Sequence, residues 1–533
     1  MQIHWRFAKN AVANLGRGSA AAVVALLLPP VLVRHMTPAS YAVWVLVLQT
    51  AAYVGYLNFG LQTAIGRYVA YATEKGDIEQ RDSVFSTAFL GLCCAAVAAI
   101  VCLVVATFNI ATIFPSVPSS LIPQMQVALL LVGFSMAVEL PASAWNGVFI
   151  GMERYEIPAL TVGGARLFSA VGVIAEALTG HSLVVMAATM ASVNLISYFA
   201  QYLALRRFAP DIRFKMTLVR RSTARELSSY CFGLTIFSLA MLLITGFDLL
   251  LVGRFQFSSV IPYSVSASMI TLISGLLYSI INVIMPHSAA LHAGQKAEAL
   301  GRLVISSTRI SVLLLILTGI PILIYAGAIL RLWIGQQYVV TGVPLLAVLI
   351  IANIIRLVGG PYTIVLIAAG QQRYIKVTPI AEGISNFTAS VVLGSLFGAI
   401  GVAFGTLFGS FVSIAAHLWY SMVRTRTAIA FSRKEFVLSG VLIPMFYTSP
   451  LLAVAAASLL GVRARPLFFV LAMALSIVGA SLLVIRTKTI SDERDQVSND
   501  PEESTEAPHS LDQLQMTVFS RNSKTKQPTK VRP

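Results

Sequence analysis

The chain has 533 residues, 57% hydrophobic and 11% charged, with a mean hydropathy of +0.80. Soluble domains carry roughly a quarter charged residues, so a string of water-soluble domains is excluded. The net charge of +16 would suit nucleic acid if the basic residues shared a soluble face, but here they flank apolar segments, where anionic lipid head groups account for them.

Fourteen apolar stretches follow in order, near residues 11–33, 40–64, 84–107, 122–149, 157–178, 182–205, 228–253, 259–286, 304–326, 340–367, 375–397, 399–422, 434–458 and 465–486. Each is continuous and lacks the two-residue alternation of a membrane barrel strand, so each is predicted as a helix. The first follows Arg6 and Lys9 but is too long for a signal-peptide core, and is expected to stay as a signal anchor. The fold class is all-α integral membrane, with 14 transmembrane helices in one membrane domain. The tail from about 487 to 533 is rich in Ser, Pro, Thr and mixed charge. It is predicted to be disordered, and its removal is expected to leave activity intact.

With the N-terminus in the cytoplasm, the outer connections hold only Arg34, Arg254, Arg331, Arg463 and Arg465 as basic residues. The inner side holds the rest, apart from three arginines deep inside spans, as the positive-inside rule requires. The densest cluster, Arg206, Arg207, Arg213, Lys215, Arg220, Arg221 and Arg225, joins spans six and seven. Both termini are then cytoplasmic. Cys93, Cys94, Cys102 and Cys231 fall inside spans and are expected to be reduced packing residues, not disulfides or metal ligands.

The end of span four reads PASAWNGVFIGMERY (Pro141–Tyr155) and the end of span ten PYTIVLIAAGQQRY (Pro361–Tyr374). Each has a proline opening the segment, a glycine at the exit (Gly151, Gly370) and an Arg-Tyr pair, the pairs standing 219 residues apart. That offset maps spans one to six onto seven to twelve as parallel repeats about an axis along the membrane normal. The expected division is 1–210, 211–425, two added spans in 426–486, and the tail.

Three arginines lie deep inside spans, well away from their ends: Arg17, Arg166 and Arg356. At 1.5 Å rise per residue they lie roughly 9, 13 and 16 Å from the inner boundary. Guanidinium groups are not kept in hydrocarbon without a polar cavity or a partner. A shared depth on three helices suggests a cationic basin for phosphate or diphosphate. For Arg166 and Arg356, pairing with Glu139 or Glu382 is an equal alternative; Arg17 has no acidic neighbour at its depth in span two. Asp248, among leucines in span seven, is a candidate for binding a proton or Na⁺, with Arg254, six residues on, as the simplest structural partner. Glu139 is the alternative proton carrier. No other cofactor and no metal site is expected.

Asn14, Asn58, Gln62, Asn146 and Asn353 are candidates to line the cavity, with Gln49, Asn194, Asn282 and Asn386, although hydrogen bonding between helices is the commoner use. Tyr41 and Trp44 are expected in an interfacial aromatic belt, and Tyr53 and Tyr56 could stack on a sugar. Gly401, Gly405 and Gly409 predict a close helix contact. Pro29, Pro30, Pro141 and Pro361 are expected to break or bend their helices.

The runs NFGLQTAIGRYVA (Asn58–Ala70), FDLLLVG (Phe247–Gly253), AAGQQRY (Ala368–Tyr374) and SNFTASVVLGSLFGAIGVAFGTLFGS (Ser385–Ser410) resemble the polysaccharide transporter family of O-antigen type flippases. That family sits in the group that includes lipid II flippases and multidrug extrusion transporters. The resemblance implies two six-helix lobes facing each other in a V, and transport of an undecaprenyl-diphosphate-linked oligosaccharide from the inner to the outer leaflet of the bacterial cytoplasmic membrane. It also implies alternating access coupled to H⁺, Na⁺ or the membrane potential, with Arg17 placed where the lipid II branch lines a cationic cavity. Membrane lipids and glycan-biosynthesis proteins are the expected partners. Lipid II flippase and drug exporter are the alternative readings. A membrane glycan transferase or polymerase is disfavoured: it needs a catalytic acid or base, and the longest outer connection, near 108–121, has no ionisable side chain. The protein is therefore not expected to be an enzyme.

Overall fold

The computed structural model describes residues 24, 26–371, 374, 376–460 and 465–498, with side chains to residue 485. Arg17 and Asn14, both proposed for the cavity, lie outside the described residues, as does Arg373 of the repeated motif. The described secondary structure is helical throughout. Among the described residues twelve helices are long and apolar enough to cross a membrane, thirteen if one bent pair is a single span.

In chain order α1 is Leu26–His35, α2 Pro38–Lys75, α3 Ile78–Phe108, α4 Ser119–Gly151, α5 Glu156–Leu178 and α6 Leu183–Phe208. The second half has α7 Arg221–Phe255, α8 Phe257–Ile281, α9 Ala297–Ile324, α10 Gln336–Ala368, α11 Val377–Phe397 and α12 Ala399–Arg424. Two helices follow. The first, α13, is Arg433–Tyr447 and Ser449–Ser458, bent by 72° between them, and α14 is Pro466–Ser498. The chain divides into compact units 1–480 and 481–533, the second described only through the end of α14. Helix thus continues to Ser498 through residues expected to be disordered from 487.

The two halves pair their helices alike. In the first, α4 packs on α2, α3 and α6, and α5 on α6; in the second, α10 packs on α8, α9 and α12, and α11 on α12. Spans four and ten also close in the same way. Arg154 N donates to Phe149 O and Glu153 N to Ile150 O, while Gln371 N donates to Leu366 O and Gly370 N to Ile367 O. Both are Schellman turns, with Glu153 at φ 58° and Gly370 at φ 66° in the left-handed position. The structural equivalence is therefore Glu153 with Gly370, two residues off the register of the Arg-Tyr pairs. Pro141 lies inside an unbroken α4, whereas Pro361 starts a new helical segment, Gly360–Ala368.

α11 and α12 make the tightest contact. A Cβ at Gly401 would come within 2.0 Å of Leu393 O, and one at Gly405 within 2.4 Å of Ser390 N. Only hydrogen side chains let these backbones approach so closely. α13 lies against α9, whose Arg309 donates from Nε to Ser439 O at 2.7 Å. That carbonyl belongs to the π-helical stretch Phe436–Leu442, and Arg309 serves it as a cap. Cys231 packs in the core, while Cys94 and Cys102 are exposed on α3 instead of packing as expected.

The connection between the halves is strapped to the start of α3. Asp82, 2% exposed, pairs with Arg81 at 2.9 Å and Lys215 at 3.2 Å. Ser86 accepts from Lys215 N, Thr87 from Arg220 N, and Ser83 donates to Leu218 O. Arg220 also pairs with Glu79. Part of the densest basic cluster is thus committed to protein partners and not to lipid.

Gly401→Ala or Gly405→Ala should destabilise the α11–α12 contact by about 1–3 kcal/mol, the usual overpacking range, and lower the thermal midpoint in detergent. Gly164→Ala, with nothing within 4 Å of the new methyl, should leave it unchanged.

Candidate functional site

α7 is broken in its far half, away from the Arg-rich connection, by a π-helical stretch, Leu242–Gly246. Such a stretch frees carbonyls that hydrocarbon cannot satisfy. Gln49 Nε2 and the Tyr53 hydroxyl, both from α2, donate to Gly246 O at 2.9 and 2.5 Å. Asn386 Nδ2 of α11 donates to Ile244 O at 2.5 Å. The bulge is therefore capped from both halves. Tyr41 and Trp44, expected in an aromatic belt, are 4% and 1% exposed because α2 packs on α7 and α8 there. Arg34 donates to Leu332 O, and Trp333 to Leu26 O, at the same end.

Two residues past the bulge stands Asp248, 7% exposed. Its Oδ2 accepts from Thr406 Oγ1 of α12 at 3.0 Å. Oδ1 faces the Tyr263 hydroxyl of α8, which lies close enough to interact with the carboxylate but outside hydrogen-bond geometry. The expected pair with Arg254 does not form. Arg254 Nη1 instead donates to Thr112 O and Ile113 O at 2.9 and 3.1 Å. Six helical residues turn the two side chains through about 600° at 3.6 residues per turn, which puts them on different faces.

Arg356, on α10, senses Asp248 electrostatically. Its Nη2 donates to Asn353 Oδ1 at 3.0 Å, and its Nε stands 4.0 Å from Glu382 Oε1 of α11. Asn353 Oδ1 also accepts from Ser274 of α8 at 3.2 Å, and its Nδ2 has no partner. Tyr278 of α8, 42% exposed, faces both Arg356 and Glu382. The Ser413 hydroxyl of α12 lies beside the Glu382 carboxylate. Four helices of the second half thus surround one guanidinium that is held loosely and is 19% exposed.

The first half has the matching arrangement with the charges exchanged. Glu139 on α4 faces Arg166 on α5, and the Tyr198 hydroxyl on α6 lies beside the carboxylate. In the register of the Schellman turns Glu139 corresponds to Arg356. Glu139 and Arg166 are both exposed in mid-span, and charged groups at that depth face a polar space, not acyl chains. Arg166 and Arg356 therefore occupy separate clusters, one per half. Asn58 donates to Ser143 Oγ at 2.7 Å and accepts from Gln62 N, and Asn194 donates to Ser135 Oγ; these serve helix packing. Asn146 Oδ1 is buried without a partner.

Two cavities stand out, and neither is lined by Arg166 or Arg356. One, of about 490 Å³, lies between α2 and α7 at the end of the bundle carrying the Arg-rich connection. The other, of about 540 Å³, is an apolar cleft among α3, α4 and α6. Among the described residues no group of three His, Cys, Asp or Glu side chains could hold a metal ion.

Among the described residues the two halves pair their helices alike, each with a charged pair in mid-span, and the fold is that of a multi-pass helical membrane protein. The profile of the polysaccharide biosynthesis protein family matches residues 7–292, and the chain belongs to that family. The fold is similar to that of the lipid II flippase MurJ in an inward closed conformation, at TM-score 0.65 and 12% identity over 92% of this chain and 99% of that one. It is also similar to an inward-facing multidrug resistance MATE family transporter of the MOP superfamily, at 0.64 and 14% over 76% and 94%. A MOP superfamily transporter from Pyrococcus furiosus matches at 0.57 and 13% over 79% and 96%. No curated protein sequence matches.

Tyr53→Phe and Gln49→Leu each leave Gly246 O one donor, so each alone should cost under about 1 kcal/mol. Together they strand a buried carbonyl, at about 1–3 kcal/mol. Thermal unfolding should show a loss greater than the sum; strict additivity would contradict the shared cap.

Proposed function

We propose that this protein moves a polyprenyl-diphosphate-linked oligosaccharide from the cytoplasmic to the outer leaflet of a bacterial cytoplasmic membrane, by alternating access, for surface polysaccharide synthesis. The Arg-rich end is the cytoplasmic end. The observation that carries the reading is Arg356, a mid-span guanidinium held by a neutral amide and a carboxylate at 4.0 Å. Donors left over from such loose pairing suit the fork geometry of a phosphate. Arg166 supplies the same group from the other half, and Arg17 extends the set.

A glycan head group carries many hydroxyls, and burying each without a partner costs roughly 2–7 kcal/mol. The polar wall formed by Ser274, Tyr278, Asn353 and Glu382 lowers that barrier. Asp248, buried with one oxygen on Thr406 and the other facing the Tyr263 hydroxyl, is the group we assign to a coupling proton or Na⁺. It sits next to the α7 bulge that both halves cap, so cation binding there acts where the halves meet. α13 and α14, present beyond the two six-helix halves, favour a lipid II substrate as the second reading, since the match to the lipid II flippase extends over 92% of the chain.

In proteoliposomes loaded with labelled lipid-linked oligosaccharide, Arg356→Gln and Arg166→Gln should lower the transport rate at least about tenfold, one arginine-phosphate contact being worth more than 1.4 kcal/mol. Insertion should be normal. Asp248→Asn should retain basal exchange and lose its stimulation by an imposed H⁺ or Na⁺ gradient. Wild-type rates in both arginine variants would contradict the substrate assignment, and unchanged stimulation in Asp248→Asn the coupling role.

A further inference from the structure

The cavity of about 490 Å³ between α2 and α7 is lined by Tyr68, Ser222, Arg225, Glu226, Ser229 and Tyr230. Residues 222, 225, 226, 229 and 230 recur at helical spacing, so α7 turns one face to it. On α2, Arg67 adds a second guanidinium, 4.9 Å from the Tyr230 ring centroid and 5.8 Å from that of Tyr68. The two tyrosine rings meet edge to face at 5.9 Å. Lys376, from the start of α11, lays its ammonium against Gly233, one turn further along α7.

The balance of donors and acceptors is one-sided. Among the described residues Arg67 and Arg225 form no ion pair, and Arg67, Ser222, Arg225 and Ser229 are exposed, so their donors face the surrounding medium. Glu226 is the one carboxylate in the lining, and it faces the Tyr68 hydroxyl. Arg225 and the hydroxyls of Ser222, Ser229 and Tyr230 thus line the groove with one carboxylate, while Arg67, over the two tyrosine rings, and Lys376, beside Gly233, add positive charge around it. Elsewhere at this end the basic residues find acids, as Lys215 and Arg220 do with Asp82 and Glu79. The space is an open groove on the surface of the bundle, suited to a head group that stays partly in water.

We infer that this cavity binds a phosphate-bearing head group, with Arg67 and Arg225 on the phosphate oxygens and Ser222 and Ser229 donating alongside, so that one anion bridges the two halves. The location, at the end of the bundle where α2 and α7 leave the apolar zone, makes an anionic phospholipid of the adjoining leaflet the source we assign. An occupied site ties α2 to α7 and holds the halves together along that edge. The inference is independent of what the transporter carries, because it concerns lipid retention and not transport.

The test uses the full chain in phosphatidylcholine nanodiscs containing a minority of phosphatidylglycerol, with retained lipid counted by native mass spectrometry after delipidation. Wild-type protein should retain phosphatidylglycerol preferentially. Arg67→Gln and Arg225→Gln should each weaken retention about fivefold, the effect of one basic residue near an anionic surface. Arg213→Gln, a basic residue of the same surface whose Nε bonds Pro210 O, should change nothing. If either arginine variant fails to fold, the Ser222→Ala/Ser229→Ala double variant carries the same expectation with a smaller loss. Inorganic phosphate added in pure phosphatidylcholine discs separates the sources. Stabilisation by phosphate that depends on Arg225, without selective lipid retention, overturns the lipid assignment in favour of a soluble phosphate ligand. Equal retention by wild type and both arginine variants, or an equal loss in Arg213→Gln, overturns the site.

Discussion

In hydrocarbon a carbonyl without a donor is too expensive to leave exposed, and the second half of this protein is arranged around three of them. The π-helical stretch of α7 releases carbonyls at Leu243, Ile244 and Gly246. Asn386 reaches them from α11, and Gln49 and Tyr53 from α2. The helix that carries Asp248 is thus held by both halves at its weakest point. Any motion that separates α2 from α7 there must first find other donors for Gly246 O, which favours two discrete arrangements over a continuous one.

The charged residues follow the same logic of local satisfaction. Each half places an acid and an arginine on its fourth and fifth helices, with a hydroxyl from the sixth beside the carboxylate, and the signs are exchanged between halves. The repeat therefore keeps a position for charge without keeping its sign. Both arginines remain only partly neutralised, and that leaves them able to grip an anion. Had Arg356 been locked in a bidentate pair with Glu382, the same residues would serve stability alone.

The helices were legible from the sequence because twenty-residue apolar runs carry a strong signal, and the span ends agree with the observed helices to within a few residues at most boundaries. Position around the helix was harder to read. Tyr41 and Trp44 look like belt residues by depth alone, yet they are buried where α2 packs on α4, α7 and α8. Asp248 and Arg254 are near in sequence but on different faces. Arg309 lies five residues inside the near end of span nine, and nothing in its neighbourhood signals that α13 opens a π-helical carbonyl to it. The glycines of α12 were read correctly, because a four-residue period of small residues has one structural use. The register of the repeat slipped by two residues because the Arg-Tyr pairs follow the turn and do not define it.

The halves meet where Gln49 and Tyr53 hold Gly246 O, and under the proposed function the space beside Arg356 opens to the cytoplasm at the Arg-rich end. Single cysteines at Ser279 and Asn282, both exposed on or just beyond α8, placed in a background without Cys93, Cys94, Cys102 and Cys231, test it directly with a membrane-impermeant maleimide. Labelling should be fast in inside-out vesicles and slow in right-side-out cells, and a neighbouring substitution at Trp44 should resist labelling from both sides. Rapid labelling of Trp44→Cys, or protection of Ser279→Cys and Asn282→Cys from the cytoplasmic face, would contradict it.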